Sequence, residues 1–233
     1  MKEYALYLES GPQHKTTLAH ALELLGCVHQ APTTEAVVVA MPGVVRDYLR
    51  FLARSGEDVH PEGEFATAVA AHDTSGKFPG GAGFGTDFEP ISAAECERYI
   101  RRFEALRGET FELVGGLSAE ERSAAPAKGR AIGRVLSHIL GGDYSYLGMG
   151  RLRVPGLHAI YAAADKGLCD PLVALHQATP MIVERLRAMT EEERTRVIER
   201  ASEPGTARRM FRRLLEHNWE HHREIAMRLG RAG

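Results

Sequence analysis

The stretch LLEHNWEHHREIAMRL, residues 214–229, decides how the second half of this chain is read. His217 and His221 are four residues apart, which on a helix puts both imidazoles on one face, within reach of one ion. At about 100° per residue that face also carries Met210, Leu214 and Ile225. The two histidines thus continue an apolar stripe and are expected to point into a helical core. Buried imidazoles side by side need partners. A metal ion is one solution, because neutral histidine is the commonest nitrogen ligand. Ordinary hydrogen bonds are the other. A third donor is at hand in His138 of VLSHILGGD, which extends the Val135 side of its own apolar face. Three histidines with no acid would leave open coordination positions on the ion, as in catalytic zinc sites.

Working back from this helix, three more long amphipathic segments precede it. One runs from Ile91 to Leu117, with Ser92 and Glu95 at capping-box spacing. The second spans Gly129 to Tyr146, apolar at Ile132, Val135, Leu136 and Ile139. The third spans Asp170 to Met189, with Asp170 as N-cap, Pro171 at the first helical position and a bend expected at Pro180. Together with Thr206 to Leu229 they predict a four-helix bundle. The long connection from Gly148 to Gly167 predicts a crossover.

The first part reads differently. Tyr4, Leu6 and Leu8 alternate as in a strand, as do Leu18, His20, Leu22 and Leu24, and Gly26-Cys27-Val28 turns into a short third strand. Val37-Val38-Val39 favours a strand by propensity. The apolar positions Val37, Val38, Met41, Val44, Val45, Tyr48, Leu49 and Leu52 instead predict a helix over Ala36 to Ala53. Thr33 and Thr34 can cap its start, Gly56 lies past its end, and Pro42 should kink it or delay its beginning. Phe65, Thr67, Val69 and Ala71 form a last strand. The expected class is α+β in two domains: 1–72, a Gly/Pro-rich linker over 73–90, and 91–233.

Charge follows the same division. Residues 1–90 carry 6 basic and 12 acidic side chains, whereas residues 91–233 carry 23 and 19. The chain as a whole has 233 residues and a net charge of -2, so no global positive field draws nucleic acid or anionic lipid. The longest apolar run, Ala36 to Met41, is too short to span a bilayer, and the start MKEYALYLES lacks the apolar core of a secretory signal. Cys27, Cys96 and Cys169 are odd in number and scattered, so neither a disulfide framework nor a zinc ribbon is expected.

Several side chains receive bland readings. His222 is expected to bond another side chain rather than a metal, and His158 and His176 to be structural. Asp143 is read as a cap or pocket-lining group, and Tyr144 and Tyr146 as packing groups. Phe78, Phe84 and Phe88 are read as staples of the linker, and His20 has no assigned role. The basic run Arg208, Arg209, Arg212 and Arg213 is read as a solvated face; the sharper alternative is that it meets the acidic N-terminal part or an anionic substrate.

Residues from about 91 to 230 resemble the DinB/YfiT-like metal-binding four-helix bundles. The likeness lies in LVGGLSAEERSAAP, RVLSHILGGDYSYL, MTEEER and LLEHNWEHHREI. The resemblance implies a divalent ion, zinc or nickel, held by His138, His217 and His221. It also implies an enzyme that acts with a low-molecular-weight thiol, an S-transferase for a small electrophile. A metal-dependent hydrolase on the same site is the alternative. Residues 2 to about 57 look like HicB-like antitoxin domains, through EYALYLES, LELLGC and TTEAVVVAMPGVVRDYLRFLARSGE. That likeness implies a protein partner and a non-catalytic interaction role as a further alternative; no DNA-binding segment accompanies it. A cytoplasmic homodimer without membrane or nucleic-acid contacts is the expectation that goes with both.

Overall fold

A computed structural model describes residues 1–11, 16–75, 80–200 and 204–231. The fold is mixed: a four-stranded sheet and one helix come first, and helices follow. The sheet consists of β1 (Lys2–Ser10), β2 (Thr17–Ala21), β3 (Cys27–Ala31) and β4 (Phe65–Asp73), in the order β3-β2-β1-β4. β1 pairs antiparallel with β2 and parallel with β4. The second strand stops at Ala21 rather than Leu24, because Leu22–Leu24 closes into a 3-10 turn. β4 forms as expected, but its alternation does not mark a buried face, and Val69 is 49% exposed.

Helix α1 (Thr34–Arg54) covers the face bearing Tyr4, Leu6 and Leu8. Burial of Val37, Met41, Val44, Val45, Tyr48, Leu49 and Leu52 outweighs the strand propensity of its valine run. Thr33 caps it by accepting from the Ala36 amide at 3.1 Å. The helix starts ahead of Pro42 and runs through it.

The helical part contains four long helices: α2 (Ala93–Val114), α4 (Ile132–Met149), α6 (Pro171–Arg187) and α8 (Ala207–Arg228). α8 packs between α2 and α4, and α6 closes the ring against the same two. Ser92–Glu95 is a capping box and Asp170 caps α6 by accepting from the Leu172 amide, both as expected. α6 continues through Pro180. The long connection from α4 to its neighbour α6 holds α5 (Leu157–Asp165). Two one-turn helices, α3 (Ala119–Ser123) and α7 (Glu191–Thr195), begin at the capping boxes Ser118–Glu121 and Thr190–Glu193.

The two apolar cores interlock. Leu106 of α2 and Trp219 of α8 belong to the cluster built on the sheet and α1, while Leu25 belongs to the bundle cluster. Trp219 meets the Tyr48 ring edge-on at 4.9 Å. The opposite sheet face, carrying Glu9 and His20, meets α8 and residues 80–88. Within the presumed linker, Ala82, Phe84 and Asp87 are buried. Glu9 accepts from the Gly80 and Ala82 amides, and Phe84 packs against Tyr7 and His20. Phe78 lies outside the described residues. No helix among the described residues is long and apolar enough to cross a membrane.

The basic run at the start of α8 is not a solvated face. Arg209, Arg212 and Arg213 are buried. Arg212 is fully enclosed; its Nε lies 2.9 Å from Asp87, and it donates to the Ala82 carbonyl at 2.7 Å. Arg213 donates to Glu216 at 2.7 Å, and Glu216 in turn bonds His20 at 2.7 Å. Arg212 therefore meets Asp87, an acid of the stretch read as a linker, and Arg212 and Arg213 both meet Glu216 of α8 itself, so the run faces local acids rather than solvent. The local acids offset the unfavourable position of cations at a helix N-terminus.

Candidate metal centre

The three predicted histidines come together. α4 supplies His138 and α8 supplies His217 and His221, and one ring nitrogen from each lies within 4.8 Å of the others. His217 Nε2 faces His138 Nε2 at 3.2 Å. Two nitrogens bound to one zinc at about 2.05 Å and a tetrahedral angle stand about 3.3 Å apart. At such a distance either the N–H of one neutral ring is donated to the lone pair of the other or a cation lies between two lone pairs. The environment opposes a charging proton on either ring. Burial, together with Arg130 and His221, lowers His138 to about 4, and burial with its neighbouring histidines holds His217 well below the ordinary histidine value. Both are thus neutral ligands at neutral pH, and the donor set fits a divalent ion.

Local sequence explains the approach. His217 is 6% exposed and leans across α4 at Gly142. A Cβ at Gly142 would overlap His217 Cε1 and Nδ1 and lie 3.0 Å from Nε2. The next glycine, Gly141, gives the same room to the Tyr161 ring, 2.8 Å from where a Cβ would stand. His138 is exposed, so the trio sits where the bundle opens to solvent rather than deep in its centre.

Sequence reasoning missed the groups that orient His221. Its Nδ1 lies 2.7 Å from Glu224 Oε2, so an Nδ1–H donated to the carboxylate leaves Nε2 as the ligand atom. Arg130 and Arg228 also bond Glu224, at 3.2 and 2.6 Å. Burial opposes ionisation of Glu224, but the bonds from His221 and Arg130 prevail and hold it at about 2. The signal was present in the i,i+3 spacing from His221 to Glu224. Arg130 has no comparable signal, because it reaches the site from the turn before α4.

The remaining candidates lie elsewhere or act differently. His222 bonds Thr110 at 3.2 Å, as expected of a group that ligates nothing. His176 stacks on Phe111, and His158 packs near Tyr144 and Tyr161. Asp143 neither caps nor lines the pocket. It is wholly buried, paired with Arg107 at 2.5 Å and with Asn218 at 2.9 Å, and ties α2, α4 and α8 together. Cys27 and Cys96 are buried and Cys169 half-buried; burial raises the Cys96 thiol to about 11.

A cavity of about 510 Å³ opens at the trio, walled by His138, His217, Arg130, Arg134, Tyr146 and Tyr161. That is the size of a small-molecule site. No protein-family model, curated protein or solved structure matches the chain. The assignment therefore rests on geometry: a sheet-and-helix unit joined to a helical bundle whose wall carries three converging imidazoles.

Proposed function

We propose that this protein is a divalent-metal-dependent enzyme whose ion is held by His138, His217 and His221. The observation that carries the reading is the convergence of three imidazoles, two of them kept neutral and the third oriented by a carboxylate. Zinc and nickel both suit imidazole ligands. Within this reading the reaction is transfer of a low-molecular-weight thiol to a small electrophile, in the cytoplasm, in line with the resemblance of the helical part to DinB-like bundles. An ion bound there supplies the positive charge that keeps a thiol ionised at neutral pH. The chain's own residues do the rest. His138 and His217 offer lone pairs without first losing a proton. Glu224 fixes the tautomer and ring plane of His221. Arg130 and Arg134, paired with Glu224 and Asp165, line the cavity wall with donors that a polar reactant can meet.

The test is elemental analysis of the purified protein and of His217→Ala. The expected result is one divalent ion per wild-type chain and loss of stoichiometric metal in the variant. Full retention by His217→Ala refutes the site. Turnover of electrophiles that requires added thiol supports transfer, whereas equal turnover without thiol replaces it by hydrolysis.

A further inference from the structure

Tyr146 reads from sequence as a packing group, yet it forms part of the cavity wall beside His138 and His217. Its ring meets the His217 ring edge-on, with centroids 5.3 Å apart. Its hydroxyl is engaged by a buried cation: Arg213 donates to the phenol oxygen at 3.3 Å, and the guanidinium sits 5.3 Å over the ring. A phenol that accepts one hydrogen bond retains its own O–H to donate. Among the described residues no acceptor for that proton is found. Arg213 is itself held. It is buried, donates to Glu216 at 2.7 Å, and Glu216 is braced by His20 of β2, also at 2.7 Å. A chain of fixed polar contacts thus runs from the N-terminal sheet to the wall of the cavity. The same wall adds Ser145 and Tyr161, Arg130 paired with Glu224 at 3.2 Å, and Arg134 paired with Asp165 at 3.5 Å.

We propose that Tyr146 is the hydrogen-bond donor of this cavity, aimed by Arg213, and that it recognises an anionic oxygen group on the molecule bound beside the histidines. This rests on the metal reading of the trio and adds to it a specificity-determining residue and a ligand class. Arg213 is a positioning residue, acting through the phenol. The arrangement makes the N-terminal sheet a structural support of the bundle's site, through His20 and Glu216.

The experiment uses full-length protein loaded with Co²⁺, whose visible absorption reports both the site and its ligands. Two probes are titrated: acetohydroxamate, which presents anionic oxygens, and imidazole, which binds through a nitrogen and offers the phenol no acceptor. In Tyr146→Phe the acetohydroxamate dissociation constant is expected to rise about ten-fold or more, the worth of one hydrogen bond to a charged acceptor. The imidazole constant is expected to stay within two-fold, which is about the limit of such a comparison. Arg213→Met is expected to reproduce the acetohydroxamate loss with Tyr146 present and to add nothing in the Tyr146→Phe background. Equal affinity of wild type and Tyr146→Phe for acetohydroxamate overturns the proposal. So does a parallel loss for both probes, which would mean that the ring only shapes the cavity. An additive loss in the double variant overturns the positioning role of Arg213. Failure of the wild type to bind Co²⁺ at all is a different result, and it removes the metal reading.

Discussion

Gly142 separates the fold from the site. Replacing it with alanine places a methyl group where the His217 ring now lies. The ring is buried, so it must retreat, and restoring ordinary contact needs a movement of about an ångström in an interior packed as densely as a crystal. Metal–ligand distances hold to about ±0.2 Å. A ring displaced that far no longer shares an ion with His138 and His221. Zinc affinity in Gly142→Ala should therefore fall by at least the roughly 10–100-fold seen when a ligand's support is removed. Stability should change little. Alanine gains about 0.8–1 kcal/mol over glycine inside a helix, and overpacking costs about 1–3 kcal/mol, which leaves a net loss of roughly 0–2 kcal/mol. Competition of the protein with a chromophoric chelator measures the first quantity, and urea unfolding of the chelated protein the second. Gly148→Ala, on the same helix with open space around its Cβ, is the control and should keep wild-type zinc affinity. Wild-type affinity in Gly142→Ala would refute the claim that His217 reaches the ion across this glycine.

Two further outcomes follow from the ionic seam between sheet and bundle. Arg212→Met removes the partner of buried Asp87 and one of the cations beside Glu216; stability should fall by about 3–5 kcal/mol, and a urea midpoint unchanged from wild type would show that the seam contributes nothing. Burial opposes protonation of His20, but Glu216 outweighs it and raises the His20 pKa above the ordinary value. With a folded value above the unfolded value of about 6.5, the contribution is complete below that pH and is lost as pH rises through the folded value. The stability to urea that chelated wild-type protein has over His20→Gln should accordingly be larger at pH 6 than at pH 9; His138 and His217, whose values are lowered, act in the opposite sense but equally in both proteins. Equal slopes in the two proteins would remove His20 from the linkage.

Much of the architecture could be read from periodicity, because periodicity records which face is buried. The stripe over Val37 to Leu52 overrode the β-branched run, and the core does bury that stripe. Hydroxyl-and-acid pairs marked the start of α2, and the same pattern in LSAEER and MTEEER marks α3 and α7, although five-residue helices are too short to show a stripe. The end of β2 was misplaced because Leu22 and Leu24 keep the alternation while the backbone closes into a 3-10 turn. The histidine trio was legible because two members share a helix face and the third extends an apolar stripe. What lay out of reach was the pairing of groups distant in sequence: Arg130 with Glu224, Asp143 with Arg107, and Tyr146 with Arg213.

The arginines of α8 show why charge is harder to read than apolarity. A buried leucine leaves a periodic trace in its own segment, whereas a buried cation is tolerated only through partners that the rest of the fold delivers. Arg212 faces Asp87, more than a hundred residues earlier, and Glu216 one turn later on its own helix. Only the second was visible locally. Once both are known, α8 is a helix with two jobs. One side carries His217, which lines the cavity, and His221 beside it. The other locks into His20 and the segment around Asp87. Glu216 and His217 are adjacent in sequence, so a rotation of α8 that preserved the seam would also have to preserve the imidazole geometry. A helix anchored in this way has its register set by charge pairing outside the site. For that reason the sheet, the buried segment and the bundle are expected to stand or fall together in the metal-binding measurements.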